Sequence, residues 1–272
     1  MMWSLIRFEA LRFLRHPRAW LIMVLFVVGN SLPLHFSDRL EIGFVWFAVL
    51  LHALAGFVGA MMVAQARTPG GGTDVAYLLS RTGTRSRVLA SRWAWFVIVA
   101  AALTAAQAVA FGARGKLSPH SRAAVRWESL PAIEAATGTP AETEPGDLGL
   151  YQLAQKKGRS TEFLRAHVEL PGAAGTILAL MFLALVIGFA LQAAQGPATD
   201  WDWSRMRSPV FHATWVPLAA GILVLLPRTG AAAKERVFLA AHFHLGAVVL
   251  AAVGVIALYG WLGLRQWRTA DL

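Results

Sequence analysis

Uncharged apolar runs alternate with short polar connections along most of the chain. Six runs reach or approach the roughly 20 residues a helix needs to cross the hydrocarbon core of a bilayer. They cover about 19–35, 42–66, 93–112, 172–195, 208–227 and 237–264. The first is short, and the last is long enough to tilt or break. None contains Asp, Glu, Lys or Arg. The pattern predicts an all-α polytopic membrane protein with six transmembrane helices.

Ahead of the first run, residues 2–18 place Met2, Trp3, Ile6, Ala10, Phe13 and Leu14 on one helical arc. Glu9, Arg12, Arg15 and His16 fall on the other, with Leu5, Phe8 and Leu11 blurring the contrast. This predicts an interfacial amphipathic helix; a positively charged stop for the first span would read the same way. Arg7, Arg12, Arg15 and Arg18 are spread through apolar residues with no small-residue cleavage site after them, which is not the pattern of a cleavable signal.

Three parts follow. Residues 1–112 carry the N-terminal helix and spans 1–3, residues 113–170 form the one long polar insertion, and residues 171–272 carry spans 4–6. In the insertion, Ser118-Pro119 is a good helix start, and Ala123, Val125, Trp127, Leu130 and Ile133 are compatible with a helix interrupted at Pro131. Helical stretches are also expected from Leu148 to Lys157 and from about Thr161 to His167, with a turn-rich acidic connection at 137–147. Gly and Ala recur in the fourth and sixth spans, at Gly172 to Gly175 and Gly246 to Gly254, where small residues permit close helix packing and are compatible with a dimer contact.

Charge decides which side is which. With alternating connections, thirteen Lys and Arg fall on the side of the N-terminus, loop 67–92, loop 196–207 and the C-terminus. Four fall on the short opposite loops, so both termini are expected in the cytoplasm and 113–170 outside it. Trp20, Trp93, Trp95, Trp201, Trp203, Trp261 and Trp267 sit at the same predicted span ends, at headgroup level. The net charge of +10 is therefore a topology signal. No basic, base-reading soluble module accompanies it, and nucleic acid is not an expected partner.

Candidate chemistry is sparse. Spans without ionisable groups offer nothing to bind and release a coupling ion, so an external energy source is expected. No GxxxxGK[ST] phosphate loop occurs, so the ATPase would be another chain. His52, His212, His242 and His244, with Asn30, Gln107 and Gln192, are the polar residues in or near the spans. His242 and His244 point about 200° apart on a helix, a poor arrangement for one metal. With no cysteine and no intramembrane carboxylate, neither a metal site, a cofactor nor an intrinsic enzyme activity is expected. His52, in mid-span, is the histidine best placed to face a substrate route.

The most distinctive polar stretch is 67–92, RTPGGGTDVAYLLSRTGTRSRVLASR, with five arginines against the single acid Asp74. Thr73 can cap a short helix from Asp74 to Ser80 whose apolar ridge is Val75, Leu78 and Leu79. Gly72-Thr73, Leu78-Leu79-Ser80, Arg85-Ser86-Arg87 and Arg92 resemble the loop between the first hairpins of ABC-2 type transporter permeases. Pro69 and a glycine run stand where that family usually carries an acid, and Gly83-Thr84 where it carries a proline. Glu9, Arg15 and Pro17 resemble the family's N-terminal helix ahead of the first span.

The resemblance implies the membrane subunit of an ATP-driven exporter in the bacterial cytoplasmic (inner) membrane. A second permease chain and an ABC ATPase subunit carrying ATP and Mg would be its partners, beside membrane lipid. Gly72, Thr73, Leu78, Leu79, Arg81, Arg85 and Arg87 would form the ATPase-coupling element. The competing expectation is a membrane scaffold or assembly factor acting through 113–170.

Overall fold

The computed structural model describes residues 2–15, 17–36, 39–64, 84–117, 122–127, 142–143, 166–194 and 231–269. Among these lie seven helices: α1 (Met2–Leu14), α2 (Pro17–Phe36), α3 (Ile42–Ala64), α4 (Arg85–Ala113), α5 (Ala173–Ala193), α6 (Ala231–Phe243) and α7 (Leu245–Thr269). Four short strands accompany them: β1 (Arg39–Glu41), β2 (Arg122–Trp127), β3 (Glu142–Thr143) and β4 (Ala166–Pro171).

Helices α3, α4, α5 and α7 each contain a segment long and apolar enough to cross a membrane. α2 coincides with the first apolar run of the sequence and is 20 residues long. The fifth run, 208–227, lies outside the described residues, as do the expected helix at 148–157 and loop 196–207. The sixth run divides at a turn on His244, with α6 ending before it and α7 starting after it.

α5 is the centre of the bundle, packed against α3, α4 and α7, while α2 packs against an adjoining face of α3. The α3/α5 contact is set by two glycines. A Cβ on Gly56 would stand 2.4 Å from the carbonyl oxygen of Leu185, and one on Gly188 would stand 2.1 Å from that of Ala53. Only hydrogen at both positions lets the two backbones touch. Gly263 repeats the device between α7 and the end of α5, 2.7 Å from Ala193 O. The glycines singled out by their recurrence, Gly172, Gly175, Gly246 and Gly254, meet nothing within 4 Å.

Two apolar clusters fill the bundle along its length. Val45, Trp46, Phe111, Ile177, Met181 and Phe238 occupy one half. Met23, Val27, Phe96, Leu185 and Phe189 occupy the other, with Phe96 and Phe189 stacked at 4.5 Å.

The insertion departs from expectation. Residues 122–127 and 166–171 are strands, where helices were expected over 118–133 and 161–167. β2 pairs antiparallel with β4, β4 with β3, and β1 joins parallel to β2, giving the order β1-β2-β4-β3. Ala123, Val125 and Trp127 recur every second residue, which is the strand period, while Leu130 and Ile133 lie outside the described residues. β1 links α2 to α3, β2 follows α4 and β4 precedes α5, so the sheet gathers at one end of the bundle. At that same end Lys116 donates to Leu34 O at 2.6 Å and Trp46 Nε1 to Lys234 O at 3.0 Å.

Candidate functional site: a buried charge knot at the start of α4

At the opposite end, α4 begins at Arg85, eight residues earlier than the apolar run that predicts it. Arg85, Arg87 and Arg92 are therefore helical. With 29 residues at about 1.5 Å each, α4 is roughly 44 Å long, about 14 Å more than the hydrocarbon core requires.

α1 is laid against this extra length. Leu5 packs with Val88 and Leu89, Glu9 meets Arg92, and Phe13 meets Trp95 edge-on at 6.1 Å. Residues i, i+4 and i+8 of one helix thus meet successive turns of the other, and α1 runs alongside α4 in the same direction. Part of the polar arc of α1 is thereby turned into the protein. Glu9 and Arg12, read on the polar arc, are 1% and 4% exposed, whereas Trp3 and Leu14, read on the apolar arc, are 73% and 62% exposed. The reason is a partner 83 residues away: Arg92 offers an inward carboxylate the charge it needs, so burial of Glu9 is compensated.

Glu9 Oε1 lies 3.5 Å from Arg92 Nε, and Glu9 Oε2 lies 3.5 Å from Arg12 Nη1. The Arg92 guanidinium also sits 5.0 Å over the ring of Trp267, near the end of α7, an arrangement in which the ring face attracts the cation. Trp267 is 1% exposed and packs with Leu5, Val88 and Leu89. It is a core residue, although its position at a span end reads as a headgroup-level belt. Arg85 completes the junction by donating from Nη1 to Trp267 O at 2.8 Å and to Arg268 O at 3.0 Å. A cation there satisfies carbonyls that the helix end leaves open.

One carboxylate and three guanidiniums thereby join the second half of α1, the start of α4 and the end of α7. Of the residues expected to couple or to lead into the first span, Glu9 and Arg85 belong to this knot, while Arg15 and Arg87 are exposed beside it. Gly72, Thr73, Leu78, Leu79 and Arg81 lie outside the described residues. Sequence reasoning missed Arg12, Arg92 and Trp267 as members of one site. Their signal was present only as an acid and an arginine three residues apart on a helix too apolar for a soluble surface.

A second polar centre lies at mid-bundle. His52 is fully enclosed, and its Nδ1 is 2.6 Å from Ala48 O. A carbonyl only accepts, so Nδ1 carries the hydrogen and Nε2 accepts from Gln107 Nε2 at 2.8 Å. Gln107 Nε2 also donates to Ser31 Oγ at 2.8 Å, and Ser31 donates to Val27 O. The network stitches α2, α3 and α4 together. At the sheet end His242 Nδ1 is 2.8 Å from Thr176 Oγ1, joining α6 to α5, while His244 is exposed at the turn.

No protein family, no curated protein and no solved structure matches this chain.

Proposed function

We propose that the chain is the transmembrane permease subunit of an ATP-driven ABC exporter, paired with a second permease chain and a separate ATPase subunit. In this reading six helices cross the bacterial cytoplasmic membrane, with 208–227 among them, and both termini are cytoplasmic. The observation that carries it is the knot at the exit of segment 67–92. A force applied to that segment enters α4 at Arg85, and Arg85 passes it to α7 through a part-buried hydrogen bond while Arg92 passes it to α1 through a buried ion pair. Such a junction suits a chain that does no bond chemistry and is driven from outside, and spans without ionisable residues fit that division of labour.

The test is purification of the tagged chain in mild detergent with ATPase activity assayed in the eluate. It is repeated for the double variant Leu78→Asp, Leu79→Asp. Co-purification of an ATPase that the variant loses is the expected outcome. Absence of ATPase from both samples would refute the transport reading and favour a scaffold acting through 113–170.

A further inference from the structure

Two buried donors beside the charge knot have nothing to donate to. Arg92 is 5% exposed and meets Glu9 through Nε at 3.5 Å, long against the about 2.7–2.9 Å of a well-made guanidinium–carboxylate bond. Its Nη2 is buried and meets no acceptor among the described residues. About one turn further along α4, the Nε1 of Trp95 is also buried and without an acceptor among the described residues. A donor taken out of water needs an acceptor, and a charged one needs it more.

Both donors belong to one stretch of the seam between α1 and α4. Glu9 faces Arg92 and Phe13 faces Trp95, so the two nitrogens lie between successive rungs of that seam. Neither side chain is at liberty to turn away. The Arg92 guanidinium is held over the Trp267 ring at 5.0 Å, and the Trp95 ring is held edge-on by Phe13. Nor does a second carboxylate stand near in the fold: α1, α4 and α7 carry one acid between them, Glu9, and its charge is shared between Arg92 and Arg12. Arg92 is also the last charged residue before the apolar run 93–112, which puts the seam where hydrocarbon gives way to headgroups.

The two groups are donors and one is a cation, so the group that completes them brings acceptor oxygens and negative charge. Nη2 directs two hydrogens and Nε1 one, and a phosphate presents several oxygens around a single centre. We infer that Arg92 and Trp95 bind one phosphate oxyanion in the α1/α4 seam, the guanidinium and the indole N–H donating to its oxygens. The phosphodiester of an anionic phospholipid and free phosphate share this chemistry, and basic pockets between spans at headgroup level take such groups. The inference stands on the two unsatisfied donors and does not depend on the transport reading.

The test uses the full chain in a maltoside detergent, washed until a phosphorus assay is constant. Thermal unfolding is followed by circular dichroism while phosphate is supplied in two forms. Sodium phosphate is compared with sodium chloride at equal ionic strength, and phosphatidylglycerol with the diacylglycerol of the same chains. A saturable rise of several degrees over the matching control is expected. A rise with phosphatidylglycerol alone identifies the lipid as the source, and one with phosphate alone the free anion. Trp95→Phe keeps the ring and removes the N–H, and should raise the half-saturating concentration at least about ten-fold. One phosphorus per chain that resists washing is the same result, and Trp95→Phe should then release it. A parent protein that holds no phosphorus and gains no more than its controls would overturn the proposal. So would a Trp95→Phe protein that binds or retains phosphate as the parent does.

Discussion

Replacing Gly188 by alanine adds one methyl group where the structure has no room for it. The new Cβ would stand 2.1 Å from Ala53 O and 2.9 Å from Phe57 N, against an ordinary contact beginning at 3.4 Å. The shortfall, 3.4 less 2.1, is 1.3 Å, and both obstacles are backbone of α3, so no side-chain rotation relieves it. α3 and α5 must separate locally. A gap of about 1 Å forfeits up to half of the dispersion energy of each contact along the seam. Overpacking of this kind costs about 1–3 kcal/mol, with the upper end expected because rigid helices oppose each other. Alanine recovers about 1 kcal/mol by its better helix propensity, leaving a net loss of roughly 1–2 kcal/mol. Leucine at the same position should prevent the native packing. The assay is thermal unfolding in detergent followed by far-ultraviolet circular dichroism, with Gly254→Ala as comparator because a Cβ there meets nothing within 4 Å. Gly188→Ala should melt below the parent and Gly254→Ala at or above it. A Gly188→Ala protein as stable as the parent would refute the close backbone contact.

Two other substitutions probe the polar centres. Glu9→Gln leaves Arg12 and Arg92 buried without a compensating charge, which should cost about 3–5 kcal/mol. α1 should then peel from α4, so limited trypsin digestion in detergent should cut at Arg7 and Arg12 faster than in the parent; an unchanged rate would show that the carboxylate does not hold the helix. Gln107→Met removes the hydrogen-bond donor to His52 and Ser31 while keeping the side-chain volume. Interhelical hydrogen bonds in membrane proteins contribute about 0.6 kcal/mol each, so a loss of about 1 kcal/mol in thermal or denaturant unfolding is expected, and none at all would show that the network does not hold α2, α3 and α4 together.

Hydropathy alone located α2, α3, α4, α5 and α7 to within a few residues at most boundaries. The largest errors were at the start of α4, because arginines are excluded from an apolar window even when their helix continues through them, and equally at the start of α7, because the apolar run continues across the turn at His244. The polar centres were legible only in part. His52 and Gln107 stand out because polar side chains in an apolar run are conspicuous. Their pairing was not readable, since 55 residues separate them and any of several helices could have supplied the partner. The insertion was misread because five apolar positions fit a three-to-four spacing loosely, while the first three of them already met the two-residue period of a strand.

What the sequence by itself determined is therefore the set of apolar, charge-free segments and the asymmetry of basic residues between their ends. Both are sums over neighbouring residues, and the bilayer responds to those sums directly. The tertiary structure alone decided which way side chains turn. Glu9 faces inward because Arg92 lies beside it, and Trp267 is core because Arg92, Leu5 and Val88 close over it. Gly56, Gly188 and Gly263 are the glycines that matter because two backbones meet at each. Each of these outcomes depends on a partner from a distant part of the chain, and burial of a charge or loss of a side chain is favourable only once that partner is in place.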